Sequence, residues 1–206
     1  MSKFIALEGI DGAGKTNLAL FICEELRQQG FKVVHTREPG GTNLAEQTRS
    51  MFLTNPEMSF KTQLLLINAG RNDHMEKVIR PALNKRAVVV SERSILSCFC
   101  YQVHDKLDEV DFDNIVSVIG GDVIPFKTFY VKVSYETSQN RINQRGEKKD
   151  IIEDKHKEFF DTLINGYEYL YQSEYGKDII LIDGEKPLEQ VKSQIRSELI
   201  KIIPYL

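Results

Sequence analysis

The stretch GIDGAGKT, Gly9 to Thr16, constrains this chain more than any other part of it. It matches GxxxxGK[ST], follows the apolar run Phe4 to Leu7, and precedes a segment whose Leu18, Phe21, Ile22 and Leu26 share one helical face. Strand, glycine-rich turn and helix in that order make a phosphate-binding loop. Glycines at positions 9, 12 and 14, with the small Ala13, let backbone N–H groups converge on phosphate oxygens, and the helix adds its positive end. Lys15 then reaches the β and γ phosphates, and Thr16 ligates magnesium. A chance glycine-rich turn accounts for Gly12 and Gly14, but not for the complete set with its flanking elements.

The rest of the chain repeats that alternation. Gly30 ends the first helix, and Phe31 to Val34 reads as a second strand. A helix starts near Leu44, and another runs from Thr62 to about Val78, with Pro81 near its end or at a junction. Ala87–Val90, Thr128–Val133 and Ile179–Ile182 are further apolar runs, and Leu188, Val191, Ile195, Leu199 and Ile202 mark the core face of a last helix. Strands apolar on both faces, separated by helices, predict an α/β fold with a mostly parallel sheet covered on each side. At 206 residues the chain suits one domain with room for a small inserted lid. The charged segment RGEKKDIIEDKHKE, 145 to 158, is the candidate lid, although charge alone favours a solvated surface.

Composition excludes some partners. A formal net charge of -3 gives no global support for nucleic-acid or membrane-surface binding, so phosphate chemistry must use local basic residues. No apolar run approaches the ~20 residues that span a bilayer. MSKFIALEG enters a strand directly and lacks the pattern of an export signal, which makes the cytoplasm the expected compartment. Cys23, Cys98 and Cys100 lack CxxC spacing and read as buried free thiols, with a metal shared by Cys98 and Cys100 the weaker alternative. The DxxG and NKxD of a GTPase do not occur in the required context. A small kinase fits better, since phosphoryl transfer needs mainly positioning, magnesium and arginines.

Candidates for the second substrate follow from position. TREPGGT, 36 to 42, lies after the second strand, at the carboxyl edge where open parallel sheets bind ligands. There Arg37 is placed to hold an acceptor phosphate and Glu38 to orient it or bind a sugar hydroxyl, against the alternative of a surface salt bridge beside a turn. In LLLINAGRNDH, Arg71 and Asn68 are candidates to contact a nucleobase, with Ile67 as an apolar wall. His74 is equally a surface histidine or a ligand. VVVSERS ends in Glu92 and Arg93, either a solvated strand end or the site of a phosphate and its metal ion.

Taken together, FIALEGIDGAGKT, TREPGGTNLAEQTR, LLLINAGR, VIRPAL, VVVSERSILSCFCYQ, GYEYL and LIDGEKPLEQV resemble the bacterial-type thymidylate kinase family of nucleoside monophosphate kinases, in order and over nearly the whole chain. The resemblance implies a three-layer fold with a five-stranded parallel sheet, magnesium and ATP on the donor side, dTMP as acceptor, dTDP as product, and a homodimer. It implies that Asp11 contacts the acceptor side of the loop and that Arg37 and Arg93 grip the acceptor phosphate. Arg71 matches the arginine that reads the base, and Ser97, Cys98, Tyr101 and Gln102 line the segment framing the nucleoside. Arg141 and Arg145 enter the lid, expected over about 141–156, with Arg145 as a donor-phosphate clamp and Glu92 beside the metal.

Several positions depart from the family pattern. Ile67 stands where phenylalanine is usual, removing base stacking of ~1 to 3 kcal/mol. Glu92-Arg93-Ser94 replaces DRY or DRH. Asp150-Ile151-Ile152-Glu153 lacks the arginine of DR.E, leaving Lys148, Lys149 or Arg145 to supply its charge. A deoxynucleoside monophosphate kinase of different base range, a deoxynucleoside kinase, and a nucleotide-binding regulator remain alternatives at this level.

Overall fold

The computed structural model describes residues 3–104, 112–118 and 123–206; Met1 and Ser2, where the export-signal reading begins, lie outside them. Five strands, β1 Phe4–Glu8, β2 Val33–Arg37, β3 Val88–Glu92, β4 Lys127–Lys132 and β5 Ile179–Asp183, pair in parallel in the order β2-β3-β1-β4-β5. The helices are α1 Lys15–Gln28, α2 Asn43–Thr54, α3 Phe60–His74, α4 Arg80–Asn84, α5 Ile95–Cys98, α6 Phe112–Val118, α7 Tyr135–Arg145, α8 Lys157–Gln172 and α9 Leu188–Ile202. The expected five-stranded, helix-flanked α/β architecture is the one observed.

Burial follows the two-residue alternation of the strands. Ile5, Leu7, Val88, Val90 and Phe129 join a large core that includes Leu18, Ile22 and Leu26 of α1 and Val191, Ile195 and Leu199 of α9. Phe4 and Val89 turn the other way, against Met75, Ile79 and Ala82. Each such fully buried aliphatic or aromatic side chain contributes roughly 1.5–3 kcal/mol. Strand order then brings the carboxyl ends of β1, β2 and β3 together, so three segments distant in sequence meet at one edge.

Three element boundaries differ from expectation. The second strand is displaced to Val33–Arg37 because its ladder with β3 runs from Val33 opposite Val88 to Arg37 opposite Glu92, carrying polar residues into the strand. The expected single helix from 62 to 78 ends at His74 and passes into a π turn at Met75–Ile79. Pro81 has no N–H to donate backward, and the hydrogen-bond ladder re-registers just before it. Leu188 is not in the core: it is 47% exposed in the first turn of α9, while Val191, Ile195, Leu199 and Ile202 are buried as expected.

Among the described residues no helix is long and apolar enough to cross a membrane. Cys23, Cys98 and Cys100 are buried free thiols. Burial pushes the Cys23 thiol up to about 11 and the Cys100 thiol well above its ordinary value.

Candidate functional site

The loop after β1 turns on positive φ at Gly9, Gly12 and Gly14. Gly12 has a second constraint, since a Cβ there would stand 2.5 Å from the Ser138 carbonyl oxygen of α7. Ser138 Oγ donates to the Asp11 carbonyl at 2.7 Å, tying α7 to the loop. Lys15 Nζ donates to the carbonyls of Gly9 and Ile10 at 3.0 and 2.9 Å. Burial drives the Lys15 ammonium down to about 8, Arg93 adds repulsion, and Asp11, Glu8 and Glu92 offset only part of this.

Arg93 is the hub. Its backbone takes φ +71, a left-handed conformation that costs a non-glycine residue of order 1 kcal/mol and turns the chain sharply off β3. Nη1 donates to Gly9 O, Ser97 Oγ and Tyr167 OH at 3.1–3.3 Å, and Nη2 donates to Asp11 Oδ1 at 2.5 Å and Tyr101 OH at 2.7 Å. Burial by itself pushes the Asp11 carboxyl up, but the charges of Arg93 and Lys15 outweigh it and hold the group at about 2. Asp11 is therefore ionised at neutral pH.

Glu92 is no solvated strand end. Its side chain is only 14% exposed; Thr16 Oγ1 donates to Oε2 at 2.5 Å and His35 Nε2 lies 3.0 Å from Oε1. A hydroxyl and a carboxylate at the phosphate loop suit magnesium, which binds few protein oxygens and completes its shell with phosphates and water. Among the described residues no three His, Cys, Asp or Glu side chains converge as a metal cage. Thr16 and Glu92 are thus the residues that fit a phosphate-bridged ion.

Two cavities meet here. The loop cavity is lined by Gly12, Gly14, Lys15, Thr16, Arg37, Glu92, Arg141 and Arg145, among others. The inner cavity holds Ile67, Arg71, Ser97, Cys98, Tyr101 and Gln102, with Phe52 and Leu53 of α2. Asp11, Glu38, Arg49, Arg93 and Asp150 line both, so the cavities share a charged boundary. A third cleft joins the loop through Gly14, Asn17 and Arg141 and is bounded by Ala13 and by Gly184–Leu188; Arg141 Nη2 donates to Gly184 O at 2.7 Å across it.

Several candidates sit otherwise than the sequence suggested. Arg37 borders the loop cavity but is half exposed and bidentate to Glu46 at 2.9–3.0 Å, the salt-bridge alternative. Glu38 is buried and accepts from Arg71 Nε at 2.6 Å, and it lines both cavities. Arg71 also donates to Asn68 Oδ1 and, at 3.3 Å, to Ser94 O; Asn68 Nδ2 lies 3.6 Å from Cys98 Sγ. His74 is not on the surface: it is fully buried, 2.6 Å from Thr36 Oγ1, and its ring leaves no room for a Cβ at Gly41. Ser94 does not face the inner cavity, because it caps α5 and donates Oγ to Glu8.

The 146–156 segment is folded back, not simply solvated. Arg145 Nη2 donates to both Glu153 oxygens at 2.8–2.9 Å, Glu153 is buried, and Asp150 and Ile152 reach the inner cavity. Arg141 and Arg145 belong to α7, so the loop itself starts at Gly146, later than the expected 141. Lys148 and Lys149 line neither main cavity, and Lys149 donates to Gln139 Oε1 at 2.8 Å. Of the three proposed substitutes for the missing arginine, only Arg145 borders the site.

Sequence reasoning missed four residues. Arg49 lies between both cavities; burial pushes its guanidinium down and Arg37 and Arg93 reinforce this. Its signal was the spacing Ala45, Thr48, Arg49, Phe52 on one face of α2. Phe52 supplies the inner cavity with an aromatic ring that position 67 lacks. Glu8 is a fully buried carboxylate accepting from Ser94 N and Oγ, Ser97 N and Oγ, and Tyr167 OH. Glu8 fixes Ser97 and Tyr167, which in turn accept from Arg93, and no local pattern marks a partner 159 residues away.

A phosphate loop facing a second cavity across an arginine-rich boundary defines a kinase of the P-loop class. The thymidylate kinase family profile matches residues 7–195. A thymidylate kinase of Mycoplasma capricolum is 37% identical over 97% of this chain and 93% of its own length, and one of Acinetobacter baumannii strain AYE is 40% identical over 93% and 96%. The crystal structure of thymidylate kinase from Ehrlichia chaffeensis superposes with a TM-score of 0.76 at 26% identity, covering 96% of this chain and 98% of that one. The chain belongs to the thymidylate kinase family.

Proposed function

We propose that this protein transfers the γ-phosphoryl group of ATP to dTMP, giving dTDP and ADP. The observation that carries this reading is the boundary shared by the two cavities, where Arg93 and Arg49 stand beside Asp11 between the phosphate loop and an apolar pocket. ATP lies with its phosphates on the loop and its adenosine in the cleft between Arg141 and Gly184–Leu188. The base of dTMP enters the inner cavity between Ile67, Phe52 and Arg71. There Gln102 Oε1 is buried without a hydrogen-bond partner among the described residues and accepts from a base N–H.

Thr16 and Glu92 are the residues that would hold a magnesium ion, which would supply positive charge to the donor phosphates. The acceptor needs no general base, because its phosphate is largely ionised near neutral pH. Arg93 and Arg49 hold that phosphate in line, Lys15 follows the transferring group, and Arg37 joins after exchanging Glu46. The 146–156 segment acts as a lid that excludes water, with Arg145 moving from Glu153 to the donor phosphates. We propose further that the protein works in the cytoplasm as a homodimer, for which exposed Leu44, Met51 and Leu65 on α2 and α3 offer apolar surface.

The direct test is ADP release with each of the four deoxynucleoside monophosphates and thymidine. Turnover is expected with dTMP, and activity on another acceptor but not on dTMP would overturn the substrate assignment. ATP binding should also report Lys15. Its value of about 8 in the ATP-free protein means that binding above that pH draws a proton onto the neutral amine. ATP affinity is expected to fall by up to about tenfold per pH unit above 8. Calorimetry at pH 8.5 in buffers of different ionisation heat should show proton uptake; no uptake there would remove Lys15 from that role.

A further inference from the structure

The proposed metal carboxylate has a partner on a neighbouring strand that the mechanism above does not use. His35 pairs with Val90 in the β2–β3 ladder, which makes Glu92, two residues further along β3, its diagonal neighbour on the same face. Thr36 points to the opposite face and reaches His74. Glu92 consequently has one donor on each oxygen, Thr16 Oγ1 on Oε2 and His35 Nε2 on Oε1. A free glutamate has three side-chain torsions and would sample many positions. Two donors from separate elements, α1 and β2, fix this one.

We infer that His35 is a positioning residue for the metal site: its Nε2–H holds Oε1 of Glu92 so that the carboxylate keeps its place beside Thr16. This rests on the reading of Thr16 and Glu92 as metal ligands. The physical reason lies in side-chain length. A carboxylate one methylene shorter would have less freedom to lose and would stand back from the imidazole, whereas glutamate reaches past β3 and needs an anchor at its far oxygen. Partners of ligating carboxylates commonly set metal affinity in this way. The donor is present in the neutral Nε2–H tautomer, so no change of protonation is involved.

The test reads the metal apart from turnover, by electron paramagnetic resonance titration of Mn2+ into protein saturated with a non-hydrolysable ATP analogue. His35→Phe is expected to weaken Mn2+ binding about tenfold. The same variant should keep its metal-free affinity for the analogue and should recover turnover at high Mg2+. His35→Gln retains an N–H donor and should bind Mn2+ close to the unsubstituted protein. In a Glu92→Asp background the shorter side chain leaves the histidine, and His35→Phe should then change Mn2+ affinity by less than about twofold.

Unchanged Mn2+ affinity in His35→Phe with Glu92 present overturns the inference, as does an equal loss with and without Glu92→Asp. His35 lies on an edge strand with its side chain 26% exposed, and His35→Ala serves the same comparison if phenylalanine prevents folding. Glu92→Gln separates the two levels. If it weakens Mn2+ binding while His35→Phe does not, only the positioning role fails; if it leaves Mn2+ binding unchanged, the metal-site reading fails with it.

Discussion

Lys15→Met is expected to lower phosphoryl transfer by roughly 10²- to 10³-fold at saturating ATP and dTMP, the loss typical of removing one preorganised charge-stabilising donor. Its fold should be no less stable than before. A lysine whose value is about 8 in the folded protein against 10.5 when free destabilises the native state while charged; the penalty is complete below pH 8 and disappears above 10.5. By linkage that penalty is on the order of 3 kcal/mol at neutral pH. The lost hydrogen bonds to Gly9 and Ile10, and the lost field at Asp11, offset part of it. Methionine keeps most of the apolar stem. Thermal unfolding at pH 7 should therefore give a midpoint at or above that of the unsubstituted protein. A large loss of stability would mean that Lys15 holds the loop together, and the drop in rate could not then be assigned to chemistry.

Arg93 carries the other large effect, and here rate and stability should fall together. Arg93→Ala is expected to reduce turnover roughly 10²- to 10³-fold, as loss of a preorganised charged donor in a phosphoryl-transfer site does. It should also cost roughly 1.5–3 kcal/mol of stability, because Asp11, a quarter exposed, would lose its main counter-charge and a charge-assisted hydrogen bond. Arg93→Lys separates these contributions. Its charge restores much of the partnership with Asp11, but a single ammonium cannot span Gly9, Ser97 and Tyr167 from one nitrogen and Asp11 and Tyr101 from another. The lysine protein should thus recover most of the denaturation midpoint while remaining slow in single-turnover transfer. A lysine variant as fast as the original would show that only positive charge is needed at this position.

The residues read most readily from sequence are those whose chemistry is local. Lys15 and Thr16 stand in one contiguous loop, and Arg93 and Glu92 close an apolar strand; both contexts fit within a dozen residues. Arg49, Phe52, Glu8 and Tyr167 escaped because their surroundings come from other elements. Arg49 joins the boundary between the two cavities only when the tertiary fold sets α2 within electrostatic reach of Arg93. Ser94 shows the converse. As a departure from the family pattern it looked relevant to acceptor choice, yet it is a helix cap bound to Glu8, while Ile67 and Phe52 form the apolar wall.

By itself the sequence determined the phosphate loop and the alternation of buried strands with amphipathic helices, because glycine spacing and apolar periodicity are short-range properties of the chain; the family resemblance rested instead on the ordered motifs. Tertiary structure decided which charges face one another. Thr16 and Glu92 are 76 residues apart, His35 and Glu92 57, and Arg93 and Asp11 82. Those pairings depend on the order β2-β3-β1, which brings three strand ends to one edge and buries their charges where only a matched donor or carboxylate makes burial tolerable. That Arg37 pairs with Glu46 and Arg145 with Glu153 in this fold also comes from that geometry and not from the motif that contains each residue.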